Sequence, residues 1–211
     1  ITQSERWRNM KAAGYSPDEI KQAFRQKTEM TVFTYHGDID TLMSPLDSIR
    51  YYKGFLRSGF MSMDPKTGAV KAYVGGLDYT HFMYDMVSLG RRQVGSTIKP
   101  FLYSLAMENG FTPCDYAPNR QQTYIVGGKR WTPRNVSHAR YGQMVPLKWG
   151  LAQSNNWISA YLMSKLNPSQ FVQLLHDYGI NNPDIHASMS LCLGPCEESV
   201  AEMVRAYTVF A

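Results

Sequence analysis

Ser96 and Lys99 stand three residues apart in the run Gly95-Ser96-Thr97-Ile98-Lys99-Pro100-Phe101. On a helix that spacing puts both side chains on one face with Cβ atoms about 5 to 6 Å apart. A serine hydroxyl is a weak nucleophile until a base takes its proton, and a neutral lysine amine is such a base. Lys99 would then have to fall from a reference pKa of about 10.4 to about 7 or 8, through burial or a neighbouring cation. A helix start adds N–H groups that favour a developing oxyanion, and Arg91 and Arg92 just upstream add positive potential. The spacing alone carries little weight: 17 Ser and 10 Lys among 211 residues give about 0.8 Ser-x-x-Lys pairs by chance. The competing role for Ser96 is an ordinary helix N-cap.

A second constellation, Ser154-Asn155-Asn156, follows 58 residues after Ser96. A Ser with an Asn two positions on combines a hydroxyl that relays a proton with an amide that holds a substrate carbonyl. Ser and Asn are also favoured in any turn between helices, so this pair too is weak by itself. The order Ser-x-x-Lys, then Ser-x-Asn, is what distinguishes the two together.

The elements that must position these residues are legible in outline. Ser16-Pro17-Asp18-Glu19 is a capped helix start, and the spacing of Ile20, Ala23 and Phe24 predicts a helix over 17–29. Residues 31–35 read as a short strand, and Ser44-Pro45-Leu46-Asp47 opens another helix. Residues 59–64 and 69–74 bracket Pro65-Lys66-Thr67-Gly68 as a β-hairpin. Residues 77–95 show no dominant period and read as an irregular connection. A helix is predicted over 96–109, closed by Gly110, then loops between 111 and 145. Further helices are expected over 146–153, 156–166, 168–178 and 197–210. Strands cluster early and helices late, which predicts α+β with an antiparallel sheet instead of a doubly wound fold.

Composition bounds the class. At 44% hydrophobic and 18% charged the chain can bury a core. Its 22 basic and 17 acidic residues are scattered, so the net +5 gives no case for nucleic acid. No apolar run approaches about 18 residues, and Ile1 to Met10 lacks the apolar stretch of a signal peptide; with no initiating Met, the chain reads as an excised piece. Cys114, Cys192 and Cys196 make neither an even disulfide framework nor a metal set; a Cys114 disulfide to one of the others competes with buried free thiols. The five histidines show no metal-binding spacing, so neither a metal nor a cofactor is expected.

The segments Asp64-Pro65-Lys66-Thr67-Gly68-Ala69-Val70-Lys71-Ala72-Tyr73-Val74-Gly75-Gly76, Arg92-Gln93-Val94-Gly95-Ser96-Thr97-Ile98-Lys99-Pro100-Phe101, Trp131-Thr132-Pro133-Arg134-Asn135, Leu151-Ala152-Gln153-Ser154-Asn155-Asn156 and Glu202-Met203-Val204-Arg205-Ala206-Tyr207 resemble, in order, the transpeptidase domain of class A (bifunctional) penicillin-binding proteins. The resemblance implies a β-lactamase/transpeptidase-like α+β fold with an antiparallel sheet packed between helices, its last strands lying beyond Ala211. It implies a connector over 1–43 and the transpeptidase domain over 44–211. By the same resemblance Ser96 is the nucleophile, Lys99 its base, Ser154 the proton relay and Asn156 the group that orients the acyl donor. Trp131 and Asn135 are candidates to line the cleft.

The partners implied are peptidoglycan stem peptides, β-lactam antibiotics, an upstream glycosyltransferase domain and cell-envelope activator proteins, on the outer face of a membrane to which the whole protein is anchored. The family's third motif, Lys-Thr/Ser-Gly, follows Ser-x-Asn. Lys66-Thr67-Gly68 precedes Ser96 and reads as a hairpin turn, not as that motif. A serine β-lactamase shares the first two motifs, and a β-lactam-binding sensor or silent scaffold would share the fold. No residue that activates a deacylating water is identifiable, and the 64–76 hairpin favours the penicillin-binding protein.

Overall fold

A computed structural model describes all 211 residues. The chain divides into two compact units, residues 1–58 with 78–83, and residues 59–77 with 84–211.

The first unit begins with α1 (Glu5–Ala12), capped by Ser4, a helix that the sequence reading does not anticipate because its faces carry no buried residue. Helix α2 (Pro17–Ala23) has the expected capping box between Ser16 and Glu19, but ends at Ala23, short of residue 29. The chain turns there because residues 28–32 belong to strand β1 (Thr28–Val32), which pairs antiparallel with β2 (Ile39–Met43) from Thr28↔Met43 to Val32↔Ile39. The expected strand at 31–35 thus lies three residues earlier, and its partner β2 was not foreseen. Helix α3 (Pro45–Gly54) starts on the Ser44 cap. Phe33, Phe55 and Phe82 pack edge-on or tilted with centroids 5.3 to 5.6 Å apart.

The second unit opens with the predicted hairpin, β3 (Phe60–Met63) and β4 (Val70–Val74). Its turn is closed by Asp64, whose Oδ1 accepts from the N–H groups of Lys66 and Thr67 at 3.0 and 2.9 Å, while Gly68 N–H donates to Asp64 O. Lys66-Thr67-Gly68 is therefore a turn, with its three backbone N–H groups all bonded to Asp64. The connection that follows is anchored by Asp85, which accepts from Tyr73 Oη and from the N–H groups of Val87 and Ser88, and by Tyr84 Oη donating to Leu89 O. It ends in strand β5 (Arg91–Gln93).

After β5 comes a 3₁₀ turn, Gly95–Ile98, running into α4 (Lys99–Glu108) with Pro100 in its first turn. Between 111 and 145, where loops were expected, lie four three-residue strands: β6 (Tyr116–Pro118) with β9 (Met144–Pro146), and β7 (Tyr124–Val126) with β8 (Lys129–Trp131). Helices α5 (Leu147–Ala152), α6 (Asn156–Met163) and α7 (Pro168–Asp177) follow as expected, each slightly shorter. At the C-terminal side, Glu197–Ser199 is not helical. It is strand β10, paired antiparallel with β5, and α8 (Val200–Tyr207) starts on the Ser199 capping box.

The strands pair antiparallel, as expected of an α+β fold, but in five separate two-stranded ladders, and helices build the core. Phe101, Leu102 and Leu105 of α4 bury against Ile158 and Leu162 of α6 and Phe171 and Leu175 of α7. A two-stranded ladder is marginal by itself in water; within the second unit, β3 and β10 pack on α8, β6 on α6 and β9 on α5. No helix is long and apolar enough to cross a membrane.

Candidate active site

The lysine at the start of α4 is the centre of the arrangement. Lys99 is 1% exposed, surrounded by apolar residues of its own helix, yet carries an ionisable amine. Its Nζ donates to Ser154 O at 2.6 Å, to Asn156 Oδ1 at 2.7 Å and to Ser154 Oγ at 3.1 Å. An ammonium has three protons, so these three acceptors satisfy the charged form completely. Burial works the other way and is the larger effect: it lowers the Lys99 pKa from 10.5 to about 8. The buried Cys192 thiol lies within electrostatic range, and its own pKa is pushed up to about 12 by burial.

Two of the three partners of Lys99 are carbonyl oxygens, which only accept. Ser154 Oγ alone carries a proton it can give back. When Lys99 is neutral, its lone pair therefore has one partner from which to receive a proton, the Ser154 hydroxyl. Ser154 can offer Lys99 both its carbonyl and its hydroxyl because it sits at φ +49°, in the left-handed region, a conformation that costs a non-glycine residue about 1 to 2 kcal/mol. Ser154 is exposed.

Asn156 is the first residue of α6 and is held on three sides. Its N–H donates to Asn135 Oδ1 at 2.9 Å, its Nδ2 donates to Arg134 O at 2.8 Å, and its Oδ1 takes Lys99. Asn135 Nδ2 in turn donates to Ser137 O at 2.6 Å. Both polar ends of Asn135 are thus occupied within the chain, and what it does in this structure is position Asn156. Trp131, on β8, packs on Tyr124 with ring centroids 6.0 Å apart, half-buried against the helical core and with no hydrogen bond to the lysine cluster.

Ser96 is exposed in the 3₁₀ turn, and neither its hydroxyl nor its N–H has a partner in the chain. Its Oγ is not within hydrogen-bond distance of Lys99, whose donors are all engaged elsewhere. The structure thus brings Lys99, Ser154 and Asn156 into direct contact, with Asn135 behind them, and sets Ser96 one helical turn before Lys99 with its hydroxyl and amide open. The turn around Ser96 is pinned from outside by three bonds: Val94 N–H to Cys196 O at 3.0 Å, Gly95 N–H to Gly194 O at 3.0 Å, and Tyr207 Oη to Thr97 O at 2.6 Å.

Several supporting residues escaped the sequence reading. Asn155 is buried; its Oδ1 caps α6 by accepting from Trp157 N–H and Ile158 N–H, and its Nδ2 donates to Asn119 Oδ1 at 2.8 Å. Asn119, fully buried, in turn donates to Ala139 O and Arg140 O. Asn155 is the middle residue of Ser154-Asn155-Asn156, and an Asn immediately before an apolar helix is a cap signal. Nothing in the local sequence marks Asn119. The cysteines are free thiols, Cys192 buried and Cys114 exposed, so the disulfide alternative is not realised.

The chain matches the family model described as the penicillin-binding protein transpeptidase domain over residues 58–191, and the penicillin-binding protein middle domain over residues 1–56. It is 35% identical over 159 residues to penicillin-binding protein 1A of Neisseria flavescens, covering 74% of this chain and 20% of that one. It is 30% identical over 157 residues to the protein of the same name in Pseudomonas aeruginosa, with 74% and 19% covered. Among solved structures, penicillin-binding protein 1A from Haemophilus influenzae superposes with a TM-score of 0.69 at 33% identity, over 73% of this chain and 23% of that one. The transpeptidase domain of Burkholderia pseudomallei penicillin-binding protein 3, at 17% identity and a TM-score of 0.59, shares the fold over 79% of this chain and 53% of that one. The architecture is thus α+β of the β-lactamase/transpeptidase kind, with small antiparallel ladders set among helices. The chain belongs to the penicillin-binding protein transpeptidase family, and it spans about a fifth of the length of the curated relatives it matches.

Proposed function

We propose that this chain is the acyl-enzyme half of a peptidoglycan D,D-transpeptidase, with Ser96 as nucleophile, Lys99 as base, Ser154 as proton relay and Asn156 as the group that orients the acyl donor. The observation that carries the reading is the contact of a buried lysine, its pKa lowered to about 8, with Ser154 and Asn156. Ser96 Oγ attacks the carbonyl between the last two D-Ala residues of a stem peptide and its proton passes to Lys99; such catalytic hydrogen bonds tighten when substrate is bound. The tetrahedral oxyanion takes the free Ser96 N–H. Lys99 returns the proton through Ser154 Oγ to the leaving D-Ala amine, and the C–N bond breaks to leave an acyl-Ser96 ester. The amine of a second stem peptide then attacks that ester and releases Ser96. No cofactor or metal takes part in these steps. A β-lactam follows the first half, opening its amide onto Ser96 and remaining attached.

Residues 1–43, within the stretch matched by the middle-domain model, serve as the connector, and 44–211 belong to the transpeptidase domain. In the whole protein we place a glycosyltransferase domain upstream, an anchor in the membrane, the catalytic domain on its outer face and activator proteins of the cell envelope as partners. Trp131 lines the cleft beside the donor, and Asn135 contributes by holding Asn156. Labelled penicillin added to the full-length protein should give a covalent adduct that maps to Ser96 and is lost in Ser96→Ala. Labelling that persists in Ser96→Ala would remove the assignment.

A further inference from the structure

Next to the turn that carries Ser96 lies a charged cluster that the proposed chemistry does not use. Glu198, on β10, has a side chain with 0% exposure. Its Oε2 accepts from Arg91 on β5 at 3.2 Å, while its Oε1 is buried with no hydrogen-bond partner. Arg91 reaches on to Glu202 of α8 at 2.8 Å, so one guanidinium spans both carboxyl groups, and it also approaches Glu197 O at 3.4 Å. Glu202 is engaged at the start of its helix, its Oε2 accepting from Ser199 N–H and Ser199 Oγ at 2.9 and 2.8 Å. Arg91 and Glu198 lie on the two strands of the β5–β10 ladder, and Val94 N–H and Gly95 N–H continue that ladder to the residue before Ser96.

We propose that Glu198 is a positioning residue: with Arg91 and Glu202 it clamps β5 against β10 and so fixes the turn that presents Ser96. For its kinetic readout the proposal rests on the transpeptidase reading above; the structural readout does not.

Charge decides which state of the clamp is tight. With Glu202 ionised and Glu198 protonated, the three side chains sum to zero. Ionising Glu198 makes the cluster net negative and leaves a bare carboxylate oxygen out of water, which is costly. The other groups facing Glu198 relieve this only in part: Asn182 and Arg91 favour the carboxylate, but less than burial and Glu202 disfavour it. Cys196 before β10 is a thiol with its pKa pushed up to about 11, Asn182 is neutral and donates to Glu197 O, and Arg92, the cross-strand partner, is exposed and turned to Arg91 O. Burial first, and then the neighbouring carboxyl group of Glu202, raise the Glu198 pKa from 4.5 to about 7, while Glu202, bonded to Ser199 and Arg91, is lowered. A raised carboxyl stabilises the fold fully below its unfolded pKa, and that contribution is lost as pH rises through the folded value. The ladder is therefore tightest on the acid side and loosens across pH 7.

Two measurements on full-length wild type and Glu198→Gln, which mimics the neutral acid at every pH, test this. Amide hydrogen exchange at Val94 and Gly95, corrected for intrinsic rate, should lose about threefold or more of its protection between pH 6 and 8 in wild type and stay level in Glu198→Gln. The rate of acylation by penicillin, plotted against pH, should show in wild type a drag near pH 7 that Glu198→Gln lacks. Arg91→Ala should lower protection of both amides already at pH 6. Protection that falls equally in wild type and Glu198→Gln, or Arg91→Ala protection equal to wild type at pH 6, overturns the clamp. Exchange that behaves as expected in a wild type that penicillin does not label sustains the clamp and removes the transpeptidase reading instead.

Discussion

Gly194→Ala is a sharp test of how Ser96, the proposed nucleophile, is held. Gly194 ends the 3₁₀ turn at Met189–Leu193 with φ +65°, and a Cβ built there would lie 2.2 Å from Gly95 O and 2.7 Å from Gly95 N. Both are backbone atoms of the residue before Ser96, so no flexible side chain can move aside. Restoring even a tight contact requires the two turns to separate by roughly 1 Å, given ordinary carbon contact distances of about 3.5 Å. That movement stretches the 3.0 Å bond from Gly95 N–H to Gly194 O beyond useful length. The left-handed backbone costs Ala about 1 to 2 kcal/mol and the lost bond about 1 kcal/mol, so unfolding by denaturant should show a loss of about 2 to 3 kcal/mol. The larger effect is on chemistry, since a reacting group displaced by about 1 Å loses on the order of 100-fold in rate.

The assay is the second-order rate of penicillin acylation by the full-length protein, with Gly110→Ala as control. Gly110 has φ +89° but nothing within 4 Å of its Cβ position, so that variant shares the backbone strain without the collision. We expect Gly110→Ala to lose stability by about 1 to 2 kcal/mol and to acylate normally, and Gly194→Ala to acylate about 100-fold more slowly. Acylation of Gly194→Ala within threefold of wild type would refute the argument that the Gly194–Gly95 contact sets the position of Ser96.

Two further outcomes are expected. If neutral Lys99 is the base, with its pKa at about 8, acylation of Glu198→Gln, which lacks the clamp's own pH dependence, should rise about tenfold from pH 6 to 7 and level off above pH 8; a rate in that variant that is flat from pH 6 to 8 would exclude that role. Asn155→Ala removes a cap on two N–H groups and leaves Asn119 Oδ1 unpartnered in the interior, so denaturant unfolding should show a loss of about 2 to 4 kcal/mol, and a loss below about 1 kcal/mol would contradict the buried Asn pair as a support for α6.

Helix starts were legible wherever the cap is local. Ser16 and Ser44 were read before the structure, each with Pro behind it, and each caps its helix by its own side chain. Helix ends and strand pairings were less legible, because partners distant in sequence decide them. Glu197-Glu198-Ser199 has helix-forming residues and was read as helix. It is a strand because Arg91-Arg92-Gln93 lies beside it, more than 100 residues earlier, and because Ser199 caps α8 only from an extended conformation. The same distance hid the three bonds that pin the Ser96 turn, all made to residues between 194 and 207. The contact of Lys99 with Ser154 and Asn156 joins residues that the sequence marks out because each bears chemistry and their order is distinctive. Asn119 and Gly194 are not marked out, since a buried amide and a close backbone approach leave no periodic trace.

The position of Ser154 shows how tightly its surroundings constrain the residue that can stand there. In an extended conformation its carbonyl and hydroxyl would not both face one amine, and the buried Lys99 would lose one of its three acceptors within the chain. The left-handed backbone at Ser154 permits the double contact, and the chain on either side enforces it. Ser154 N–H is tied to Leu151 O at the end of α5, and Asn155 is tied to Gly150 O, to the start of α6 and to Asn119. Strain at one residue is thus balanced by a buried hydrogen-bond network at the next. A glycine at 154 would relieve the backbone and remove the hydroxyl, and an alanine would keep the strain without the proton carrier. Among side chains that tolerate this conformation, one short enough to fit and able to both give and take a proton is what the geometry around Lys99 requires, and serine meets all three conditions.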